Sequence, residues 1–162
     1  DFIVETHHRY VQEKTPVILS YLAKLSQKHG GRHPELLEIN KLFSDSAPEL
    51  ASHMQKEEQI VFPRIRNLAT MNADGPQDQL ITSSILNAPI QVMMHEHDNE
   101  GERFKKIDIL TDHYQPPADA CNTYKVTYAL LQEFENDLHL HIHLENNILF
   151  PKAAQMEQDL LH

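Results

Sequence analysis

The sequence predicts an all-α protein built as an up-down-up-down bundle of four helices. Apolar residues recur at spacings of three and four along four long stretches, which is the helical period. The strict alternation of apolar and polar residues that indicates strands is absent. Proline and glycine gather in clusters between the four stretches. At 162 residues the chain is predicted to form a single domain over residues 1–162.

Three clusters of helix-breaking residues set the predicted helix boundaries. The breaks lie at residues 30–34, 72–76 and 114–117. The predicted helices span roughly residues 1–29, 35–70, 88–113 and 119–156. Pro16 and Pro48 fall inside the first two helices, where each is expected to kink its helix or restart it. Residues 71–87 form a longer connection that can hold a short helical turn. Amphipathic helices with short connections are typical of antiparallel neighbours in a bundle.

The composition excludes several classes of function. Four glycines are too few for a glycine-rich phosphate loop. The net charge of −10, with no basic tract, makes nucleic acid and membrane surfaces unexpected partners. No apolar run reaches the 18 residues of a membrane span. The single cysteine, Cys121, cannot form an intramolecular disulfide, which favours a reducing compartment and predicts a cytoplasmic protein.

Histidine is unusually frequent, with 12 residues, and the helical period assigns these side chains to faces. One histidine on each helix shares the apolar face, and these four are His8, His53, His97 and His141. On two helices a glutamate follows one turn later, Glu57 after His53 and Glu145 after His141. The apolar stripes predicted around these two pairs include Ile60 and Ile148. The neighbouring histidines are predicted to be solvated, and these are His7, His95, His139 and His143.

The position of each inward histidine along its helix brings the four to one level. His8 and His53 lie at similar distances from the first turn, and His97 and His141 at similar distances from the Pro116-Pro117 turn. His29 does not reach this level, because it lies about 30 Å from His8 by helical rise. It is predicted to belong to the first turn.

Four imidazoles and two carboxylates suit a pair of borderline-hard transition-metal ions. The two glutamates can bridge both ions and leave two histidines for each, with an oxo or hydroxo bridge supplying part of the remaining charge. The lack of thiolates disfavours zinc-finger and iron–sulfur sites. A single inward histidine is more often a hydrogen-bonded core residue. Six such groups at one level, left without metal, would each cost about 1–3 kcal/mol.

Gly101 follows His97 by four residues. At the same spacing, Glu57 follows His53 and Glu145 follows His141. A glycine inside a helix costs about 1 kcal/mol relative to alanine, so its presence indicates a need for space. Two interpretations remain open, a small-ligand pocket beside the metals and a close contact between helices.

The order of these residues resembles that of the hemerythrin-like family, and more closely that of the iron–sulfur cluster repair di-iron proteins. The resemblance covers nearly the whole chain and rests on 52–63 (SHMQKEEQIVFP), 96–102 (EHDNEGE) and 141–151 (HIHLENNILFP). It implies a non-haem di-iron centre, with manganese as the alternative ion. The implied terminal ligands are His8, His53, His97 and His141, and the implied bridging carboxylates are Glu57 and Glu145.

The resemblance also implies a function. Proteins of this family restore iron–sulfur clusters after nitrosative or oxidative damage, by an expected release of iron to the damaged proteins. Two alternatives remain, reduction of nitric oxide at the di-iron centre, which would make the protein an enzyme, and a hemerythrin-type sensor or carrier of dioxygen or nitric oxide. Family members commonly carry a small N-terminal domain with a cysteine pair. This chain lacks that domain, so we expect a processed product or a fragment.

Overall fold

A computed structural model describes residues 2–73 and 86–161 of the chain, and these residues form four long helical rods. Each rod is assembled from consecutive helical segments. Rod 1 contains π1 (Ile3–His8) and α1 (Arg9–His29), rod 2 contains α2 (Glu35–Lys56), π2 (Glu57–Val61) and α3 (Phe62–Ala73), rod 3 is α4 (Asn87–Leu110), and rod 4 contains α5 (Asn122–His143), π3 (Leu144–Leu149) and α6 (Phe150–Leu161). The predicted all-α class with four helices is confirmed.

The predicted boundaries agree with the rods to within a few residues. Pro16 and Pro48 lie inside uninterrupted α1 and α2. Rod 3 ends three residues earlier than predicted, because Asp112, His113 and Tyr114 all adopt a positive φ and cannot continue a right-handed helix. The Thr111 hydroxyl accepts a hydrogen bond from the Tyr114 backbone N–H at 3.0 Å, which holds this turn. The predicted connection over 71–87 falls largely on residues 74–85, outside the described residues.

The interior contains two apolar clusters with a polar layer between them. One cluster includes the packed rings of Phe43, Phe104 and Phe134, whose centroids lie 5.2–6.3 Å apart. The other includes Phe62 and Phe150. Rods 1 and 3 run from the second cluster to the first, and rods 2 and 4 run the opposite way. The alternating directions give an up-down-up-down bundle, and the inward histidines fall at the level between the two clusters.

The three π segments change which residues face the core. Ile60 and Ile148 were predicted to be buried, and this is wrong, because they are 43% and 51% exposed. A π turn closes with i→i+5 rather than i→i+4 hydrogen bonds, so it inserts one residue and rotates the residues that follow. Phe62 and Phe150, five residues after Glu57 and Glu145, take the buried positions instead.

None of the helices in the described part of the chain is long and apolar enough to cross a membrane.

Candidate metal centre

The six side chains predicted as metal ligands are all buried, with no more than 4% of any of them exposed. Five of them present ligand atoms that all lie within 4.8 Å of one another, and these are His53, Glu57, His97, His141 and Glu145. His8 lies at the edge of this group, with its Nε2 atom 3.0 Å from Glu57 Oε2. The structure therefore brings the predicted set together from all four rods.

Glu57 lies among all four histidines. Its Oε2 atom accepts the hydrogen bond from His8, and its Oε1 atom contacts His53 Nε2. The Nε2 atoms of His97 and His141 lie 3.8 Å and 3.7 Å from the Glu57 oxygens. The Glu57 carboxylate is therefore surrounded by imidazole nitrogens from all four rods.

Glu145 has a narrower set of contacts. It contacts His141 Nε2, and its Oε1 atom lies 3.6 Å from His97 Nε2. The Nε2 atoms of His53 and His97 are 3.1 Å apart. Unlike Glu57, Glu145 has no ion-pair contact with His8 or His53 in the part of the chain described.

Several buried atoms of the cluster have no aligned hydrogen bond within the described residues. They are Glu57 Oε1, both carboxylate oxygens of Glu145, and both ring nitrogens of His141. Buried carboxylates without such partners are costly, and cations placed among them would supply the missing interactions. Imidazole nitrogen and carboxylate oxygen suit ions such as iron and manganese. The residues present therefore fit a di-iron site.

The pKa values of the cluster reflect its concentrated charge. Burial alone would raise the pKa of Glu57, but hydrogen bonds from His141, His53 and His8 outweigh it and hold that pKa well below its usual value. Burial alone would lower the pKa of His97 and His141, but Glu145 and Glu57 outweigh it and raise these pKa values to about 9 and about 10. The raised pKa values favour protonated rings of His97 and His141 in the metal-free protein, and a metal ion would compete with these protons.

Three of the four inward histidines have their outer ring nitrogen fixed by a neighbouring side chain. The Nδ1 atom lies 3.2 Å from Glu58 in His8, 2.9 Å from Glu96 in His53, and 2.8 Å from Asn146 in His97. Metal-binding histidines commonly carry such a partner, which orients the ring and fixes its tautomer. The partners leave Nε2 as the nitrogen directed at the centre. His141 Nδ1 has no partner within the described residues.

Glu57 and Glu145 lie within π turns, and His8 is the last residue of π1. Helices commonly widen in this way at functional sites. A search at 100° per residue does not detect such turns. The signal available in the sequence was the shared Glu-x4-Phe-Pro ending of the two glutamate motifs, since both phenylalanines are buried only if the helix gains a residue.

His7 corrects a prediction. It was expected to be solvated, but it is 1% exposed and its Nδ1 atom lies 2.8 Å from Asp137 Oδ1. The π1 turn is the physical reason, because its wider winding turns both His7 and His8 toward the interior. The His7 ring also stacks against the His141 ring, with centroids 5.7 Å apart and planes at 17°.

The other histidines lie where the sequence placed them. His95, His139 and His143 are exposed. The His29 Nε2 atom lies 3.4 Å from Cys121 Sγ, and the His29 ring contacts the ring of Tyr124. This end of the bundle lies away from the buried His/Glu cluster.

Gly101 has open space beside it. A Cβ atom built there would meet no described atom within 4 Å. Among residues 2–73 and 86–161, Gly101 therefore accommodates no close contact between helices, and the small-ligand pocket stays a prediction.

A separate cleft of about 330 Å³ reaches the cluster at His53. Three glutamates contribute to its lining, which consists of Glu49, Ser52, His53, Lys56, His95, Glu96, Asn99 and Glu100. Glu100 is 4% exposed, and burial raises its pKa above the usual range. Burial also tends to raise the pKa of Glu96, but Lys56, 2.7 Å away, and His53 lower it overall.

An antiparallel four-helix bundle with buried histidines and glutamates from four rods defines a class of metal-binding helical proteins. Residues 2–153 match the family described as the hemerythrin HHE cation binding domain. The chain therefore belongs to the hemerythrin HHE family.

Curated relatives agree with this assignment. The chain is 37% identical over 160 residues to the iron-sulfur cluster repair protein YtfE of Musicola paradisiaca, covering 96% of this chain and 64% of the relative. It is 36% identical over 153 residues to a probable iron-sulfur cluster repair protein of Haemophilus influenzae, covering 94% and 63%. It is 37% identical over 157 residues to YtfE of an Enterobacter species, covering 97% and 66%. The chain thus spans about two thirds of the length of these proteins.

Proposed function

We propose that this protein holds two iron ions at the His/Glu cluster and supplies iron for the repair of iron–sulfur clusters damaged by nitrosative or oxidative stress, in the cytoplasm. The names of the relatives support the role in repair. The donor set supports iron, because it combines imidazole nitrogen with carboxylate oxygen and contains no thiolate. Bound iron would supply the metal that a damaged cluster has lost.

The observation that carries iron supply is the acidic cleft that opens at His53. Glu49, Glu96 and Glu100 line it, and Lys56 is the one cation among its lining residues. A cation leaving His53 would therefore meet carboxylates instead of an apolar barrier, and three carboxylates against Lys56 and Arg103 would leave a small excess of negative charge along its path. Arg103 pairs with both Glu49, at 2.8 Å, and Glu100, so it reduces the charge at one side of the cleft.

The residues divide the work between holding and releasing the metal. Glu57, Glu145 and the four histidines would hold the ions, and a proton could replace a metal ion at His97 and His141, whose pKa values are raised. Glu96 orients His53 at the mouth of the cleft through its hydrogen bond to Nδ1.

Transfer of labelled iron tests the proposal. The protein is loaded with ⁵⁷Fe, mixed with a purified iron–sulfur enzyme whose cluster has been destroyed by nitric oxide, and supplied with sulfide. We expect the label to enter the rebuilt cluster and the enzyme to regain activity. The matched control is Glu57→Ala, which we expect to carry no iron and restore nothing, beside His139→Ala, which changes an exposed histidine on the same rod as His141. Recovery equal to that with free iron would contradict the proposal, as would iron retained without recovery.

Reduction of nitric oxide is the second candidate, and the open space beside Gly101 favours it. Two nitric oxide molecules accept two electrons and two protons to give nitrous oxide and water, and the electrons come from an added reductant. More than one nitrous oxide per centre supports turnover. One or fewer contradicts it, and a reversible dioxygen adduct with a visible absorption band would indicate a carrier instead.

A further inference from the structure

His7 and Asp137 form a hydrogen-bonded pair beside the buried His/Glu cluster. His7 is 1% exposed, and its Nδ1 atom lies 2.8 Å from Asp137 Oδ1, while the Asp137 side chain is 16% exposed. The opposite nitrogen of the ring, His7 Nε2, is buried and has no hydrogen-bond partner within the described residues. This nitrogen is therefore oriented by a carboxylate but bonded to nothing.

His141 has the complementary deficit. Its Nδ1 atom is buried without a partner, although Glu58, Glu96 and Asn146 fill that position for the other three inward histidines. The rings of His7 and His141 lie side by side, with centroids 5.7 Å apart and planes at 17°. The two nitrogens are not hydrogen-bonded to each other, and rings whose centroids are 5.7 Å apart are separated on a scale that one water molecule can bridge.

We propose that His7 and Asp137 position His141 through one buried water molecule. The hydrogen bonds run in a single direction. With Nε2 of His141 on a metal ion, its Nδ1–H donates to the water, and the water donates to His7 Nε2. His7 Nδ1–H then donates to Asp137 Oδ1, which fixes His7 as the tautomer protonated at Nδ1.

This series of hydrogen bonds gives the Nδ1 atom of His141 a partner, which the Nδ1 atoms of the other three inward histidines receive directly from a protein side chain. His7 is a positioning residue, because it acts on the metal through His141 and not by contact. Loss of such a partner lowers metal affinity about 10–100-fold. The inference rests on the metal centre of the proposed function, and it is independent of whether that metal repairs clusters or reacts with nitric oxide.

Two substitutions separate the hydrogen-bond chain from simple packing. His7→Phe keeps a ring of similar shape and removes the nitrogen. Asp137→Asn keeps the size of the side chain and removes the charge that fixes the tautomer. We expect each to raise the rate of metal loss to a chelator about 10–100-fold. His7→Gln restores an acceptor and should recover part of that loss. His139→Phe, an exposed position on the same rod, is the matched control and should leave the rate unchanged.

A spectroscopic readout accompanies these rates. In the protein loaded with cobalt(II), the shifted N–H resonance of the His141 ring should exchange with D₂O faster in His7→Phe and Asp137→Asn than in the wild type, while the N–H resonances of His53 and His97 stay unchanged. Unchanged exchange and unchanged metal loss in both variants would overturn the proposal. An effect of His7→Phe without one of Asp137→Asn would also overturn it, because packing alone would then explain the loss. If His7→Phe does not fold, Asp137→Asn still decides.

The ¹⁵N shifts of His7 in zinc-loaded protein give a test that needs no iron. We expect the tautomer protonated at Nδ1, and the Nε2 tautomer would contradict the chain. A wild-type protein that binds zinc or cobalt but no iron would therefore refute the proposed function. The ¹⁵N shifts and the exchange rates would still decide whether His7 and Asp137 position His141.

Discussion

Rods 2 and 4 carry the same motif in two different surroundings. His53 and Glu57 on rod 2 match His141 and Glu145 on rod 4, and both pairs continue through a π turn to a buried phenylalanine. On rod 2 the outer nitrogen of His53 is held by Glu96 in an acidic cleft. On rod 4 the outer nitrogen of His141 is enclosed beside His7. A repeated motif has thus been given one open side and one closed side.

The two glutamates also differ, in the number of histidines that each one contacts. Glu57 contacts histidines of all four rods, whereas Glu145 contacts His97 and His141 within the described residues. The asymmetry predicts that loss of Glu57 disturbs the inward histidines of all four rods, whereas loss of Glu145 disturbs those of rods 3 and 4. The predictions that follow test this difference, beginning with the largest expected effect.

Removal of the two glutamates should have unequal consequences. We expect Glu57→Ala to abolish binding of both metal ions, because it removes the carboxylate shared by all four histidines. Glu145→Ala should retain about one ion per chain, because Glu57 and its contacts with the histidines remain. Metal analysis of purified, iron-loaded protein measures the stoichiometry.

Three histidines outside the cluster provide the controls for this experiment. His29→Ala, His139→Ala and His143→Ala should each keep two ions per chain, since none of these side chains reaches the cluster. Metal loss in these variants equal to that of the glutamate variants would refute the assignment of the centre. Equal loss in the two glutamate variants would remove the asymmetry.

The metal-free protein should lose stability as the pH rises. His97 and His141 have pKa values of about 9 and about 10 in the folded chain, against about 6.5 when unfolded. Their contribution is fully present below pH 6.5 and is lost as the pH rises toward 10, by on the order of a few kcal/mol. Urea unfolding at pH 6 and pH 10 with a chelator present measures the free energy of unfolding.

Bound metal should reverse this dependence, because metal competes with protons for the same nitrogens and gains affinity as the pH rises. His141→Gln should weaken the pH dependence of the metal-free protein, while His143→Gln, at an exposed position, should not change it. A metal-free protein whose stability is constant from pH 6 to pH 10 would contradict the charge balance described for the cluster.

The sequence predicted the faces of the helices wherever the backbone is a regular α-helix. His53, His97 and His141 follow from periodicity, because they lie in regular α-helix. Glu57 and Glu145 lie at the start of their π turns and keep the predicted face, and His8 keeps it at the end of π1. His7, Ile60 and Ile148 did not follow, because each lies in a π turn where the angle per residue changes. The repeated Glu-x4-Phe-Pro ending marks two of these turns in the sequence, but a fixed angle of 100° per residue does not register the added residue.

The acidic cleft was also beyond sequence reasoning. Glu49 and Glu100 lie on different rods, and although each is one helical turn from a predicted ligand, His53 or His97, that spacing does not show that the two carboxylates line one cleft. Their approach depends on how rods 2 and 3 pack, and on Arg103, which pairs with both. Only the assembled bundle shows that a cluster enclosed on one side has a charged opening on the other.

Neutralising the cleft should slow the release of iron without preventing its binding. We expect Glu49→Gln and Glu100→Gln to lower the rate of iron transfer to a chelator about 2–10-fold, because a weaker negative field lowers the local concentration of the departing cation. Glu102→Gln is the matched control, since this glutamate is exposed on the same rod and does not line the cleft. Stopped-flow absorbance measures the rate. Identical rates in all three variants would show that iron leaves elsewhere.

The smallest expected effect concerns the position where rod 3 departs from rods 2 and 4. Gly101 replaces the glutamate that follows the histidine on those rods, and a Cβ atom there meets no described atom within 4 Å. Gly101→Ala should therefore raise the free energy of unfolding by up to about 1 kcal/mol, because alanine has the higher helix propensity and creates no clash. Urea denaturation measures this gain.

The same variant decides what the space is for. If the space admits a small ligand beside His97, the added methyl group should weaken the binding of azide or nitric oxide, followed by visible absorbance, while the content of iron stays at the wild-type value. Stabilisation with unchanged ligand binding would contradict the pocket. The added methyl group would then both stabilise the helix and obstruct the ligand. A gain in stability together with a loss of ligand affinity would show that glycine at position 101 lowers helix stability and keeps space open beside the metal.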